Sequence, residues 1–458
     1  MLILLNFKVV GKKKKISGKQ IKIYQMLILN NYYFHEHIKS KALKRRNYIF
    51  ILVFIGVSWI YTIYTSCGTL KNTADHHIFP QLVDTKDRQI EMQEHKTYSI
   101  NGVHADNEFA GARLNNFEAI NDSTFKATIS PENFPINISA YFGMRLRADT
   151  KRNVTVELHY TKHEHRYVPK TSSDGMNWRA LKASEYDTLQ APNICAVRLS
   201  LSPEPLFLCG QELMASPHIK KWAQNQSKHS DAKMSVVGKS RLGRDMLFLD
   251  IGQDEIKGKE TIVIVSRQHP PEVTGYMAME AFVEEILKNN PISNAFRSKY
   301  RVMVFPLMNP DGVDEGHWRH NAGGIDMNRD WSVYNQPENR LVADYIVSST
   351  NKHKNKVIVG LDFHSTQNDV FYTLPDNRPS SVFPFKDLWL EGMEQSIVDY
   401  HANDESGDIS APITKFWFYL QFGAEGITYE VGDEVSREFI KEKAVTAAQE
   451  MMQLLVLR

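Results

Sequence analysis

From Gln211 to the C-terminus, apolar runs of five to seven residues alternate with stretches whose apolar positions recur every three or four. Residues 261–265, 301–307, 357–363 and 426–430 read as strands covered on both sides, because a run without polar alternation has no face to offer water. Residues 273–287, 388–400 and 437–457 read as helices. Strands alternating with helices predict an α/β domain: a mixed, twisted sheet with helices on both faces. Between Tyr98 and Ser202 the texture differs. Short runs such as 124–129 and 154–160 alternate apolar with polar residues and are cut by Pro, Asn, Asp and Gly. That period of two predicts an antiparallel β-sandwich ahead of the α/β domain.

The N-terminal stretch follows neither pattern. The basic run Lys39, Lys41, Lys44, Arg45, Arg46 precedes sixteen largely apolar, uncharged residues (49–64), and then Thr65-Ser66-Cys67-Gly68. This is the layout of an export signal. Sixteen residues fall short of the roughly 20 that span a bilayer as a helix, and small residues followed by Cys resemble a bacterial lipoprotein cleavage site with Cys67 as the lipidated residue. An uncleaved signal anchor and a buried core segment are the alternatives. Met26 offers a more reasonable start than Met1. Residues 68–96 show no sustained apolar period and read as a tether. The chain thus divides into a leader with an export signal (1–66), a linker (67–97), a β-sandwich (98–205) and an α/β domain (206–458). The expected location is exported, either membrane-anchored or periplasmic or extracellular.

The chain's +2 charge hides an asymmetry: residues 1–48 carry twelve Lys or Arg against one acid, a net of +11, which leaves the other 410 residues at −9. A mildly acidic body argues against a nucleic-acid binder held by a broad basic face. Three cysteines in 458 residues exclude a disulfide scaffold. With Cys67 assigned to lipid, Cys195 and Cys209 remain, either paired in an oxidising compartment or left as two buried thiols.

Ligands in open α/β sheets gather beyond the carboxyl ends of strands. Strand 261–265 runs into His269-Pro270-Pro271-Glu272, strand 357–363 ends at His364-Ser365, and strand 426–430 ends at Glu430. Strand 301–307 leads to Asn309-Pro310-Asp311-Gly312 and on to Arg319, Asn328 and Arg329. Two imidazoles and a carboxylate at one sheet edge make a three-ligand zinc site with an open fourth position. Glu430 is then placed to take a proton from water at that position. Arg319 would face a developing oxyanion, and the fork of Arg329 suits a substrate carboxylate. Two other histidine pairs, His317 with His320 and His163 with His165, lack a third ligand at a strand end.

Taken in order, His269-Pro-Pro-Glu272, Asn309-Pro-Asp-Gly312, Arg319, Asn328-Arg329, His364-Ser365 and Glu430 resemble the motif series of zinc carboxypeptidases of the carboxypeptidase A type. The stretch Gly324-Ile-Asp-Met-Asn-Arg-Asp-Trp331 and the preceding β-domain make the chain more similar to the cytosolic carboxypeptidases and their bacterial relatives than to digestive enzymes. The resemblance implies Zn2+ held by His269, Glu272 and His364, Asn328 and Arg329 on the substrate's terminal carboxylate, Arg319 on the scissile carbonyl, and Glu430 as general base and acid. It also puts Lys415 at the position that selects the C-terminal side chain, where a buried ammonium favours an acidic one. The lid tyrosine of the family is replaced by Asp408, leaving Tyr400 and Tyr419 as substitutes.

The expected partner is therefore a peptide or protein C-terminus, with membrane attachment through the signal or a lipidated Cys67 and no nucleic acid; the oligomeric state is left open. Two other functions fit the same residues: an amidase acting on cell-wall peptides or N-acyl amino acids through the same zinc chemistry, and a non-hydrolytic peptide- or glycan-binding lipoprotein. The sandwich serves either to support the catalytic domain or to choose substrates.

Overall fold

In the computed structural model, residues 75–458 are described, apart from Gln190 and Asp254. The proposed export signal and Cys67 lie outside the described residues. No helix among the described residues is long and apolar enough to cross a membrane. Residues Asn72–Arg458 form one compact unit.

Alternation builds the first layer pair. The strands are β1 (Thr97–Ile100), β2 (Val103–Asp106), β3 (Asn116–Ala119), β4 (Thr124–Ile129), β5 (Gly143–Ala148) and β6 (Arg152–Tyr160), followed by β7 (Lys170–Ser172), β8 (Arg179–Ala180), β9 (Tyr186–Thr188), β10 (Ile194–Leu201) and β11 (Leu206–Cys209). They pair as two sheets, β1-β2-β5-β11-β7-β8 and β3-β4-β6-β10-β9. Every second residue of β4 and β6 is buried, so Phe125, Ala127, Ile129, Val156 and Leu158 form the filling between the sheets. The pairing is antiparallel except for β4 against β6, which runs parallel. Cys195 on β10 and Cys209 on β11 lie in different sheets and are both free and buried, the second of the two alternatives left open by the sequence. Burial pushes the Cys195 thiol up to about 12 and raises Cys209 as well, so both remain inert thiols.

The second layer set is an eight-stranded sheet ordered β12-β13-β15-β14-β16-β19-β17-β18. Its strands are β12 (Ala232–Lys239), β13 (Asp245–Ile251), β14 (Glu260–Ser266), β15 (Tyr300–Phe305), β16 (Lys356–Thr366), β17 (Val370–Thr373), β18 (Asp404–Ser406) and β19 (Glu425–Gly432). The central strands β15, β14, β16 and β19 are parallel, and the flanks supply the antiparallel pairs. Alternate residues of β14 face opposite cores: Ile262 and Ile264 pack on one side, Val263 and Val265 on the other. The helices are α1 (Ser216–Gln226), α2 (Val273–Ile286), α3 (Pro291–Lys299), α4 (Pro310–Asp314), α5 (Pro337–His353), α6 (Phe385–Ser396), α7 (Thr414–Phe422) and α8 (Arg437–Leu457). α2 and α8 cover the first face, α5 and α7 the second.

Three readings change. α6 begins and ends earlier than 388–400, because Ile397 turns to extended backbone. β16 and β19 continue in register to Thr366 and Gly432, so His364 and Glu430 sit inside paired strands rather than at their ends. Residues 75–96 are no free tether: Phe79 is buried against the α/β core, Thr85 hydrogen-bonds Asp330, and the Gln93 amide donates to the carbonyls of Ala112 (2.7 Å) and Glu315 (3.0 Å). Single anchors spaced many residues apart leave no period for pattern reading to find.

Candidate active site

The turn after β14 is what delivers the first imidazole. Arg267 has φ +57°, and the backbone N–H groups of Met308 and Asn309 bond the carbonyls of Ser266 and Arg267, tying the turn to the end of β15's loop. Pro270 and Pro271 then supply no donors and lead into α2, with Glu272 at its N-cap. α2 crosses β16 unusually closely. A Cβ on Gly275 would lie 2.2 Å from the His364 carbonyl oxygen, so only glycine lets the helix bearing Glu272 reach the strand bearing His364. The Ser365 hydroxyl locks this contact, accepting from Gly275 N–H and the Thr274 hydroxyl, each at 2.8 Å.

The result is a tight cluster. His269 Nδ1 lies 2.8 Å from Glu272 Oε1, His364 Nδ1 lies 2.7 Å from Glu272 Oε2, and the two Nδ1 atoms are 3.1 Å apart. Donors around zinc with bonds of about 2.0–2.1 Å in a tetrahedron stand roughly 3.3 Å apart, close to this spacing. The other edge of each ring is committed to a carboxylate, His269 Nε2 to Asp326 at 2.9 Å and His364 Nε2 to Asp362 at 2.8 Å. Protons held at Nε2 leave lone pairs at both Nδ1 atoms, aimed at each other and at Glu272. Three lone-pair donors converging in a buried place need a cation, and this donor set fits zinc. Without one, burial disfavours charge on His364, yet Asp362 and Glu272 hold its pKa well above the ordinary imidazole value.

Asp326 and Asp362 were not singled out in the sequence. Asp362 is two residues before His364 on the same strand, and strand period alone puts both side chains on one face. Gln268 bridges Asp362 (2.8 Å) to the Thr414 hydroxyl (2.7 Å) and accepts from Trp331 Nε1, so the carboxylate is held from two sides. We expect Asp362→Asn to weaken zinc binding by about 10–100-fold, measured by competition with a chromophoric chelator. Unchanged affinity would show that Asp362 does not tune the ring.

Above the cluster lies a cleft of about 710 Å3 bordered by all eight residues singled out in the sequence: His269, Glu272, Arg319, Asn328, Arg329, His364, Lys415 and Glu430. Glu430, paired across the ladder with His364, is half-buried, and its Oε2 is buried with no partner among the described residues. Burial pushes its pKa up to about 8; His364 and Arg319 oppose the rise, while Glu272 and Asp362 add to it. Arg319 is gripped by Asp326, which accepts from Nε and Nη2 at 2.9 Å each, with Nη1 4.0 Å from Glu272. The side-chain Oδ1 of Asn328 accepts from the Thr414 N–H and hydroxyl (2.9 and 2.8 Å), which turns its Nδ2 toward the cluster. Arg329, half-exposed, has its nearest carboxylate at 3.8 Å and is the least committed guanidinium of the site.

Lys415 lies in the first turn of α7, pressed onto β19 because a Cβ on Gly426 would meet the Lys415 carbonyl at 1.9 Å. The residue is 2% exposed, and its ammonium donates to the Thr373 carbonyl (3.0 Å) and sits 4.7 and 5.3 Å from the rings of Phe416 and Tyr372. Burial brings its pKa down to about 8. Neither substitute for the lid tyrosine borders the cleft: Tyr400 packs on Phe439, and Tyr419 packs against the α/β core. Asp408 is at the rim, bonded to Ser410. The tyrosine that does border the cleft is Tyr372, which is paired with Thr428 and so shares a face with Glu430. A four-residue strand carries no signal that could have found it.

The other histidine pairs are spoken for. His317 and His320 pack around the buried Glu132, His163 bonds the Ile136 carbonyl and His165 the Tyr160 hydroxyl. The sandwich also supplies one wall of the cleft, through residues 136–139 and Arg166. Arg166 pairs with Asp433 (2.8 Å), three residues beyond Glu430.

Residues 219–443 match the family model described as zinc carboxypeptidase. Cytosolic carboxypeptidase 6 of Caenorhabditis elegans is 26% identical over 196 residues, 41% of this chain and 40% of that protein. Cytosolic carboxypeptidase 2 of Danio rerio is 30% identical over 158 residues, 30% of this chain and 20% of that protein. The chain thus spans less than half the length of these relatives. The crystal structure of a metallo-carboxypeptidase from Burkholderia cenocepacia superposes with a TM-score of 0.63 at 16% identity, covering 78% of this chain and 99% of that one, a likeness of fold. The chain therefore carries a zinc carboxypeptidase domain, residues 219–443.

Proposed function

We propose that this protein is a zinc-dependent carboxypeptidase that removes the last residue of a peptide and prefers an acidic one. The observation that carries the reading is the convergence of two Nδ1 lone pairs and the Glu272 carboxylate on the floor of a cleft that also holds the unpaired Oε2 of Glu430. Zinc held there supplies Lewis-acid polarisation and acidifies water. The residues of the chain do the rest. Arg329 and the Asn328 amide bind the terminal carboxylate and so fix which peptide bond reaches the centre. Glu430 accepts a proton from the attacking water at Oε2 and returns it to the leaving amine. Arg319, immobilised by Asp326, donates to the oxygen that gains charge at the scissile carbon. Lys415 meets a substrate side-chain carboxylate, which relieves an ammonium satisfied among the described residues by a carbonyl and two aromatic faces. The export segment read at residues 39–67 supports placing this activity outside the cytoplasm, at a membrane surface.

A peptide series that differs only in its last residue tests this, with a C-terminal amide and muropeptides alongside. Free-acid peptides ending in Glu or Asp should be cleaved fastest and the amide not at all; release from muropeptides alone would favour the amidase reading instead. Lys415→Glu should reverse the preference toward basic ends, lowering kcat/KM for acidic ends by about 30-fold or more, since breaking a buried charge pair costs roughly 2–5 kcal/mol. The sign with pH follows from the lowered pKa of Lys415: the ammonium exists below about pH 8, so the acidic preference in kcat/KM is full there and fades as the pH rises through that value. A profile that Lys415→Glu leaves unchanged would remove the residue from specificity.

A further inference from the structure

The loop that carries Arg319 is held by a residue of the other layer pair. Glu132, just after β4, is completely buried. Its Oε2 accepts from the Trp318 N–H at 2.8 Å, and its Oε1 from the N–H groups of Arg319 (3.1 Å) and His320 (2.7 Å). Three consecutive amides gathered by one carboxylate cannot rotate independently, and charge-assisted bonds of this kind are about twice as strong as neutral ones. The neighbour Asn133 continues the grip through its side chain, Oδ1 on His320 Nδ1 (2.6 Å) and Nδ2 donating to the Gly324 carbonyl (3.0 Å). Trp318 itself is inserted into the sandwich core, so burial of its ring anchors the loop to that layer pair. Burial opposes charge on Glu132, but His317, His320 and Arg113 surround it and keep it ionised. Its three hydrogen-bond partners all belong to the loop that presents Arg319, while on the sandwich side the buried guanidinium of Arg113 faces it as a countercharge.

We infer that Glu132 is a positioning residue for Arg319, which makes the sandwich a working part of the active site. The inference rests on the proposed role of Arg319 at the oxyanion. Glu132→Gln keeps the size but leaves one oxygen for three N–H donors and turns an amide N–H toward the loop. It should lower kcat by about 10–100-fold with KM within about 2-fold, less than the roughly 10²–10³-fold loss of an oxyanion donor itself. In an Arg319→Ala background the same change should cost nothing further, which a merely structural role would not produce. Glu132→Asp, which keeps the buried charge but retracts it by one methylene, serves if the glutamine variant does not fold and should show the same pattern. Amide hydrogen exchange in segment 317–321 of the full chain should rise in either variant while the rest of the chain is unchanged. Unaltered exchange there, an unaltered kcat, or equal losses with and without Arg319 would each overturn the inference. If the unmodified protein cleaves no peptide while exchange still rises, the functional reading falls and the loop-holding role of Glu132 stands.

Discussion

His364→Ala is expected to abolish zinc retention and peptide hydrolysis together. The imidazole is one of three donors within a cluster whose ligand atoms lie within 4.8 Å of one another, and two donors cannot replace the third at this strand position. Since loss of an outer carboxylate partner alone weakens metal binding about 10–100-fold, loss of the ligand should exceed that. Metal analysis after dialysis against buffered zinc reads the first effect and turnover of the best free-acid peptide the second. Chelation of the unmodified protein should reproduce the inactive state, and zinc should restore it. The pH dependence has a definite sign. Zinc must displace a proton from His364, whose pKa Asp362 and Glu272 raise well above the usual value despite burial, so apparent affinity falls as the pH drops. Retention of zinc by His364→Ala would relocate the metal centre and remove the basis of the hydrolase reading.

Why this centre was legible in the sequence, and parts of its surroundings were not, has a physical reason. The strands of the catalytic sheet are buried on both faces, so 261–265 and 357–363 had to be uninterrupted apolar runs, and the polar residues that ended those runs stood out. His269, Glu272, His364 and Glu430 were visible because each breaks an apolar run near the carboxyl edge of a strand. Asp326, Asp362 and Tyr372 were not, because their roles arise from which strands and loops come together in space. Asp362 lies within a run that already read as a strand, and Tyr372 in a strand of four residues whose partner, β19, follows fifty residues later. The parallel pairing of β4 with β6 is equally non-local. The strap at 75–96 failed for the opposite reason: its order comes from scattered side chains, Phe79, Thr85 and Gln93, each seated in another element, with no repeat between them. Glu132 belongs to the same class, a lone acid in a turn whose meaning appears only with the loop 318–320 laid over it.

Glu430→Gln separates chemistry from binding and is expected to have the largest effect on rate at the smallest cost in structure. The residue is not among the three that converge, so zinc content should remain that of the unmodified protein. The buried Oε2 has no protein partner among the described residues, so an amide in its place breaks no hydrogen bond of the fold. What it removes is the only acceptor at that point able to take a full proton. General base and acid assistance is worth about 10²–10⁴-fold, and kcat should fall by that amount while peptide binding, followed with the zinc-loaded variant, persists. The base works only when ionised, and burial raises its pKa, so hydrolysis by the unmodified protein should decline as the pH falls through that pKa, and the decline should be missing from the residual activity of the variant. Persistent peptide binding with no turnover in the unmodified protein as well would favour the non-hydrolytic reading, whereas unchanged turnover in Glu430→Gln would take the proton transfer away from Glu430. Loss of zinc in the variant would make Glu430 a fourth ligand and close the corner at which water has to sit.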